Sequence, residues 1–247
     1  MASLARTPPL LFPATGRQTA TVIFVHGLGD TGHGWAGAVE NWRRRQRLDH
    51  VKFVLPHAPS IPITCNWGAR MPGWYDIHTI DGNVESLRRN EDEAGILRSQ
   101  AYFHELIQKE IDAGIPPERI VLGGFSQGGA ISIFSGLTSK VKLGGIVALS
   151  AYLLLSLKFG ELVPKPEFNK ETPIFMAHGD SDRVVNTELG KMSYEMLKGM
   201  GYNVTMKIYK DMGHTACLEE IDDVEAFLRE RLPPLDDSSN NNAKSEL

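Results

Sequence analysis

The feature of this sequence that most constrains its fold is a series of short, almost continuously apolar runs. They occupy residues 21–25, 51–55, 120–123, 145–149, 174–177 and 204–209. Runs of this length that do not alternate with polar residues are typical of strands covered on both faces, as in a parallel sheet. Parallel strands need crossover connections, which are usually helices.

Helical patterns lie between these runs, in the order that a βαβ architecture requires. Segment 91–113 carries an apolar stripe at helical spacing, with Asn90 as its predicted N-cap and Gly114 as its end, and segments 188–200 and 217–232 are also amphipathic. The 247-residue chain is therefore predicted to adopt an α/β fold, a mostly parallel sheet with helices on both faces. We expect residues 1–234 to form a single domain and the polar residues 235–247 to form a disordered tail.

A G-x-S-x-G pattern surrounds Ser126, between the predicted strand 120–123 and a helical stretch that begins at Gln127. A nucleophile in this setting stands on a sharp, strained turn above the sheet. Gly124 and Gly128 remove side chains that would collide across the turn, and the positive end of the helix faces the reaction centre. The alternative interpretation is a glycine-rich turn in which the serine only caps the helix.

A serine nucleophile needs a base, and the base needs an acidic residue that orients it. On this architecture the chain order is serine, acid, histidine, each on a loop after a later strand. His214 lies between the last strand and the last helix, where the base belongs, whereas His178 is interpreted as a packed residue at a strand end. Asp180 and Asp182 both follow His178, and spacing leaves both open as the orienting acid, with Asp182 favoured.

Two backbone N–H donors would have to stabilise the oxyanion that such a reaction forms. We expect them at Gln127, directly after the serine, and at Leu28, in the glycine-rich loop that follows the first strand. His26 and His33 of the same loop could suggest a metal, but no acidic or thiol residue stands at ligand spacing. The sequence therefore predicts no metal and no cofactor.

Composition excludes some classes of function. The net charge of −4 does not give the basic footprint of a nucleic-acid-binding protein. Cys65 and Cys217 are far apart in sequence and are predicted to be free thiols, with one disulfide as the alternative. Prolines interrupt the first thirteen residues, so no secretory or membrane-spanning segment is predicted there.

Several long blocks of the chain resemble the acyl-protein thioesterases, the cytosolic group of α/β-hydrolases of the carboxylesterase/lysophospholipase type. The blocks are VIFVHGLGDTGHGW (22–35), PHAP (56–59), MPGWYDI (71–77), EDEAGI (91–96), GIPPERIVLGGFSQGGA (114–130), HGDSD (178–182) and GHTAC (213–217). The resemblance runs from about residue 8 to residue 234 and implies the α/β-hydrolase fold.

The same resemblance implies a catalytic triad of Ser126, Asp182 and His214, with Leu28 and Gln127 as the oxyanion donors. It implies hydrolysis of long-chain acyl thioesters, typically palmitoyl, on the cysteines of S-acylated proteins, with lysophospholipids as further substrates. A cytoplasmic location with transient contact to membrane surfaces follows from it, and the nucleus is a second expected location.

The resemblance also implies an acyl-binding wall, to which we assign Met71, Trp74, Tyr152, Leu153 and Leu154. Many relatives have Trp in place of Tyr152 and Pro in place of Leu154, which leaves the preferred chain length open. One alternative function is a lysophospholipase or general carboxylesterase with the same triad. Another is a non-catalytic acyl-binding protein, which predicts a broken triad.

Overall fold

A computed structural model describes residues 6–79 and 90–235 of the chain. Its strands are β1 (Leu10–Phe12), β2 (Ala20–Val25), β3 (Val51–Leu55), β4 (Ser60–Ile63), β5 (Ala69–Pro72), β6 (Ile120–Phe125), β7 (Gly145–Leu149), β8 (Ile174–Gly179) and β9 (Val204–Tyr209). Its α-helices are α1 (Ala36–Arg44), α2 (Glu93–Asp112), α3 (Gln127–Leu137), α4 (Phe159–Leu162), α5 (Thr187–Gly199) and α6 (Leu218–Arg231). The predicted tail, 235–247, lies outside the described residues except for residue 235.

Seven of the described strands form one sheet in the order β1-β3-β2-β6-β7-β8-β9. All six strands predicted from the apolar runs belong to it, and every pairing among them is parallel. The three-residue β1 pairs antiparallel with β3 at the edge. It was not predicted because so short a run between Pro9 and Pro13 does not stand out from a loop. The predicted mostly parallel sheet is confirmed.

Side chains of β2 alternate between the two faces of the sheet. Val22 and Phe24 pack on the face covered by α1 and α6, where Trp42 and Val224 are fully buried. Ile23 points to the opposite face, which α2, α3 and α5 cover. Because both faces are buried, most successive residues of such a strand are apolar. The prediction of helices on both faces is confirmed.

The first residues of α2 correct one prediction. The helix begins at Glu93, and its N-cap is Asp92, whose carboxylate accepts from Gly95 N at 2.9 Å and from Asp76 N at 2.9 Å. The prediction of Asn90 as the N-cap is therefore wrong. Asp92 takes this position because its two oxygens cap the helix and hold the preceding loop at once. No helix within the described ranges is both long and apolar enough to cross a bilayer.

A two-stranded hairpin, β4 and β5, lies in the segment that follows β3 and was not predicted from the sequence. Pro62 and Pro72 lie within its strands, and proline normally argues against a strand. Its turn contains two left-handed residues, Trp67 with φ 56° and Gly68 with φ 72°. The tryptophan side chain is 98% exposed. Cys65 of this hairpin and Cys217 before α6 are free thiols.

Candidate active site

Ser126 lies in the turn between β6 and α3, with backbone angles φ 54° and ψ −123°. A positive φ is a strained conformation for a residue that carries a side chain. The turn is held in place because Ser126 N donates to Leu149 O of β7 at 2.8 Å. The serine is half-buried at the carboxyl end of the parallel strands, the edge at which α/β folds place their sites.

Two glycines allow this turn to pass close to β2. A Cβ atom on Gly124 would lie 2.5 Å from Val25 O and 2.6 Å from the carbonyl carbon of Gly128. A Cβ atom on Gly128 would lie 2.2 Å from Val25 O. The sequence interpretation attributed these glycines to a collision across the turn, and the structure adds the end of β2 as a second obstacle. Only glycine fits at either position without a backbone shift.

His214, in the loop between β9 and α6, joins the serine to an aspartate. Its Nε2 lies 3.0 Å from Ser126 Oγ, and its Nδ1 lies 2.8 Å from Asp182 Oδ2. Since a carboxylate can only accept, Nδ1 carries the proton and Nε2 is left to accept the serine proton. The ring packs against Phe125, with 4.8 Å between ring centroids. The three side chains thus form the hydrogen-bonded series that a nucleophile, a base and an orienting acid would require.

The Asp182 carboxylate is buried and firmly held, with only 6% of the residue exposed. Its Oδ1 accepts from Val184 N at 2.8 Å and from Val185 N at 3.0 Å. Burial alone would raise the pKa of Asp182, but hydrogen bonds from His178 and His214 outweigh burial and hold that pKa well below its ordinary range. The carboxylate is therefore charged throughout the neutral pH range.

Asp180, the other candidate for the orienting acid, holds a different part of the site. It is exposed, and its Oδ1 accepts from Asp211 N at 2.8 Å and from Ser181 Oγ at 2.9 Å. Asp211 is a left-handed residue with φ 57°. Asp180 therefore braces the turn that leads to His214, whereas Asp182 bonds the imidazole itself.

His178, interpreted as a packed residue at a strand end, lies fully buried at the end of β8. Its Nε2 is 2.8 Å from Val185 O and 3.4 Å from Asp182 Oδ2. Sequence reasoning missed the second contact. The available signal was the four-residue spacing within HGDSD, at the point where the strand ends and the loop turns back.

The two expected oxyanion donors belong to two segments that adjoin the serine. Gln127 is the first residue of α3, and a Cβ atom on Gly27, next to Leu28, would be 3.3 Å from Ser126 Cβ. The loop after β2 therefore reaches Ser126. Gly29 N donates to Pro72 O at 2.8 Å, which ties this loop to the β4–β5 hairpin.

His26, in the same loop, is fully buried. Its Nδ1 is 2.7 Å from Gly27 O, and its Nε2 accepts from Ala58 N at 3.1 Å. Burial lowers the pKa of His26, so the ring is neutral with its proton on Nδ1. Across the described residues, no group of three or more His, Cys, Asp or Glu side chains is arranged to hold a metal ion.

The side chain of Gln127 links the nucleophile turn to the segment that precedes α2. Its Oε1 accepts from Trp74 N at 2.8 Å, and its Nε2 donates to Tyr75 O at 2.7 Å. Trp74 is 2% exposed, and its indole N–H donates to His26 O at 2.8 Å. Of the residues assigned to the acyl wall, Trp74 therefore lies next to the serine turn and is held there by hydrogen bonds from its backbone N–H and its indole N–H. Met71 is half-buried beside the oxyanion loop, its Sδ 3.9 Å from a Cβ atom built on Gly29.

The remaining assigned wall residues, Tyr152, Leu153 and Leu154, follow β7 and are all buried. Leu153 N donates to Ser193 Oγ of α5 at 2.9 Å. The hydroxyl oxygens of Tyr152 and Tyr75 are 3.5 Å apart, and both rings border a small cleft that also contacts residues 76–79, 90 and 91. Burial raises the pKa of Tyr152 to about 12, so its hydroxyl is neutral. The hydroxyl of Tyr152, an assigned wall residue, thus lies next to that of Tyr75, which directly follows Trp74.

Comparison with known proteins identifies relatives over the whole chain. Acyl-protein thioesterase 1 of Neurospora crassa is 74% identical over 247 residues, which is all of both chains. Acyl-protein thioesterase 1 of Gibberella zeae is 63% identical over 232 residues, which covers 94% of this chain and 99% of that relative.

Solved structures show the same fold. Acyl-protein thioesterase 2 of Zea mays matches with a TM-score of 0.80 at 28% identity, over 91% of this chain and 98% of that chain. Arabidopsis thaliana SOBER1 matches with a TM-score of 0.79 at 32% identity, over 86% of this chain and 99% of that chain. The sequence model of the phospholipase/carboxylesterase family matches residues 11–232. The chain therefore belongs to the phospholipase/carboxylesterase family of α/β-hydrolases.

Proposed function

We propose that this chain is a serine hydrolase that cleaves long-chain acyl thioesters, palmitoyl among them, from the cysteines of S-acylated proteins. The observation that carries the proposal is the hydrogen-bonded series of Ser126, His214 and Asp182 on a strained strand-to-helix turn. The thioester substrate is supported by the relatives named acyl-protein thioesterase 1, one of them 74% identical over the full chain.

In the acylation step, His214 Nε2 takes the proton of Ser126 Oγ as the oxygen attacks the thioester carbonyl carbon. The carbonyl oxygen becomes an oxyanion and accepts hydrogen bonds from the backbone N–H groups of Leu28 and Gln127. The negative charge of Asp182 stabilises the imidazolium and keeps the ring in the tautomer that the step requires. Collapse of the tetrahedral intermediate breaks the C–S bond and leaves an acyl group on Ser126.

The leaving group favours a thioester over an ester at this site. A thiol has a pKa of about 8.5, so the sulfur departs as a thiolate with little help from an acid. The imidazolium of His214 gives its proton to the departed thiolate and becomes neutral again. In the second step His214 takes a proton from water, and the resulting hydroxide attacks the acyl-serine. The fatty acid leaves, and the proton returns from His214 to Ser126 Oγ.

We assign binding of the fatty chain to the acyl wall of Met71, Trp74, Tyr152, Leu153 and Leu154. Support comes from the contact of Trp74 with Gln127 and from the position of Met71 beside the oxyanion loop. Each buried methylene contributes about 0.8 kcal/mol, so a long chain supplies most of the binding free energy. The neutral hydroxyl pair of Tyr75 and Tyr152 is a polar point in this wall.

Lipidated substrates lie at membranes, so we propose that this protein works in the cytoplasm and contacts membrane surfaces transiently. Trp67 at the tip of the β4–β5 hairpin supports the contact, since tryptophan favours the boundary between lipid and water and this side chain is 98% exposed. The hairpin is tied to the oxyanion loop through Gly29. The proposal of a second, nuclear location rests on the resemblance alone.

We propose a single domain over residues 1–234. Two observations support it: one sheet joins β1 near the start of the chain to β9, and the family match extends from residue 11 to residue 232.

The second candidate function, a lysophospholipase or general carboxylesterase, is favoured by the family description, which covers phospholipases and carboxylesterases. The same three residues serve both reactions, so only relative rates separate them. The other alternative, a non-catalytic acyl-binding protein, predicts that Ser126 is unreactive although it stands 3.0 Å from His214 Nε2.

Two measurements test the proposal. A fluorophosphonate should attach one label to Ser126, and the Ser126→Ala variant should take none; an unlabelled wild-type protein would favour the binding-protein alternative. Matched palmitoyl-thioester and palmitoyl-lysophospholipid substrates should then give a higher kcat/KM for the thioester. A higher value for the lysolipid would support the phospholipase instead.

A further inference from the structure

The buried His178 makes contacts that the mechanism above does not use. Its ring fits against Gly190 of α5, where a Cβ atom would lie 2.4 Å from His178 Nδ1. The glycine therefore leaves room for the imidazole and sets its position. Nε2 faces two oxygens, Val185 O at 2.8 Å and Asp182 Oδ2 at 3.4 Å.

These contacts assign the proton on the ring. A backbone carbonyl and a carboxylate are both acceptors, so Nε2 of His178 must be the donor. Nδ1 is buried against Gly190 and has no hydrogen-bond partner among the described residues. A proton there would be left without an acceptor. The ring is therefore the neutral Nε2–H tautomer, the opposite of His214, whose proton is on Nδ1.

We propose that His178 is a positioning residue for Asp182, the orienting acid. The Nε2–H of His178 holds Asp182 Oδ2 in place and weakens the electrostatic attraction between that carboxylate and a protonated His214. The proposal rests on the triad proposed above. Four donors then surround one carboxylate: Val184 N and Val185 N on Oδ1, and His214 and His178 on Oδ2. The same N–H holds the carbonyl of Val185, so the loop 182–185 is closed at both ends.

Loss of the His178 donor has a predictable electrostatic sign. The His178 N–H, 3.4 Å from Asp182 Oδ2, offsets part of the negative charge of Asp182, and without it the full charge acts on His214. His214 then holds its proton more tightly, and a higher pH is needed to make it the free base. The acidic limb of the kcat/KM profile moves to higher pH. A residue with a purely structural role would lower stability and leave this limb where it is.

Two amide substitutions distinguish the effect of the Nε2–H donor of His178 from the effect of the rest of its side chain. The amide nitrogen of His178→Gln can occupy the place of Nε2, whereas that of His178→Asn reaches only the place of Nδ1. For H178Q we expect kcat within about threefold of wild type and an unmoved acidic limb. For H178N we expect kcat to fall about tenfold or more, KM to stay within about twofold, and the limb to rise by about half a pH unit.

A second buried histidine provides the matched control. His104 Nε2 lies 2.8 Å from Ser135 O, the same kind of bond to a backbone carbonyl, with no triad carboxylate among its bonded partners. H104N and H104Q should lower the melting temperature and leave both kcat and the pH profile unchanged. Thermal melts of all four variants give the fraction of each protein that is folded at the assay temperature, and kcat is calculated for that fraction.

The outcomes separate the two proposals. An H178N variant with the wild-type pH profile, or the same upward shift in H104N, would overturn the role of His178. If H178N does not fold, Gly190→Ala replaces it, because the added Cβ displaces the ring and should raise the limb in the same way. A wild-type protein that takes no fluorophosphonate label at Ser126 would instead overturn the proposed function itself.

Discussion

At the level of single residues, Asp180 and Asp182 stand two positions apart in one loop and hold different partners. Asp182 bonds the imidazole of His214, and Asp180 bonds the backbone N–H of Asp211. Their substitution by asparagine keeps the size and shape of each side chain. The pair therefore tests which carboxylate the chemistry needs.

We expect Asp182→Asn to lower kcat on the order of 10⁴-fold, because its amide donates to His214 and favours the wrong tautomer. Asp180→Asn should stay within about threefold of wild type, since the amide oxygen can still accept from Asp211 N. Steady-state kinetics on a palmitoyl thioester measures both. Equal losses in the two variants would contradict these roles.

At the level of elements, the joint between β6 and α3 depends on the closeness of α3 to β2. The added Cβ atom of Gly128→Ala would lie 2.2 Å from Val25 O, a backbone atom that cannot swing aside. We expect this variant to lose at least about 2 kcal/mol of unfolding free energy and most of its activity. Gly37→Ala in α1 is the control, because nothing lies within 4 Å of its Cβ position.

For Gly37→Ala we expect a gain of about 0.5–1 kcal/mol, since alanine favours a helix more than glycine does. Denaturant unfolding of both variants gives the two values. A stable, active Gly128→Ala protein would mean that α3 does not pack against β2 in this way.

The first turn of α6 contains a buried acid, Glu220, whose carboxylate oxygens have no hydrogen-bond partner in the described part of the chain. Burial, reinforced by the negative charge of Asp223, raises the pKa of Glu220 to about 8. Between its ordinary value near 4.3 and this value, the unfolded chain releases the proton and the folded protein keeps it. Glu220 therefore lowers stability as pH rises through this window.

The glutamine of Glu220→Gln cannot ionise in the folded or the unfolded state. The melting temperature of this variant minus that of wild type should therefore be larger at pH 8 than at pH 5. Glu219→Gln, one position away and exposed, should show the same difference from wild type at both pH values. Calorimetry at the two pH values measures both variants. A gain for Glu220→Gln that does not change with pH would show that Glu220 is charged in the folded protein.

At the level of the whole molecule, the exposed hairpin tip and the net charge of −4 indicate how the protein would meet a membrane. Insertion of Trp67 is apolar and does not depend on attraction to anionic lipid. We therefore expect Trp67→Ala to lose binding to phosphatidylcholine vesicles and to hydrolyse a short, water-soluble thioester at the wild-type rate.

Leu218→Ala removes another exposed apolar side chain, at the start of α6, and should leave vesicle binding unchanged. Binding of the wild-type protein should change little with salt, because counterion screening does not affect apolar insertion. Co-sedimentation with vesicles at low and high salt measures these outcomes. Strong salt dependence, or equal losses in the two variants, would contradict the assignment of Trp67.

Much of this fold follows from local patterns. The six apolar runs predict the six parallel strands because burial on both faces requires apolar residues in succession, and Gly124 and Gly128 predict the turn that exposes Ser126. Neighbours in sequence were enough for these features. Neighbours in sequence were not enough for the N-cap of α2. That position is held by Asp92 and not by Asn90, because Asp92 also accepts a hydrogen bond from Asp76 N, 16 residues away in sequence.

Which residues remote in sequence lie close together is determined only by the assembled sheet. Spacing favoured Asp182 but left Asp180 open, because both positions lie in the same loop. Only the path of residues 179–185 turns Asp182 toward His214. The same path brings His178 beside Asp182, a contact that the four-residue spacing within HGDSD allows but does not fix. Local sequence decides strands and turns through short-range sterics and burial, whereas the partner of each buried polar atom depends on which strands become neighbours.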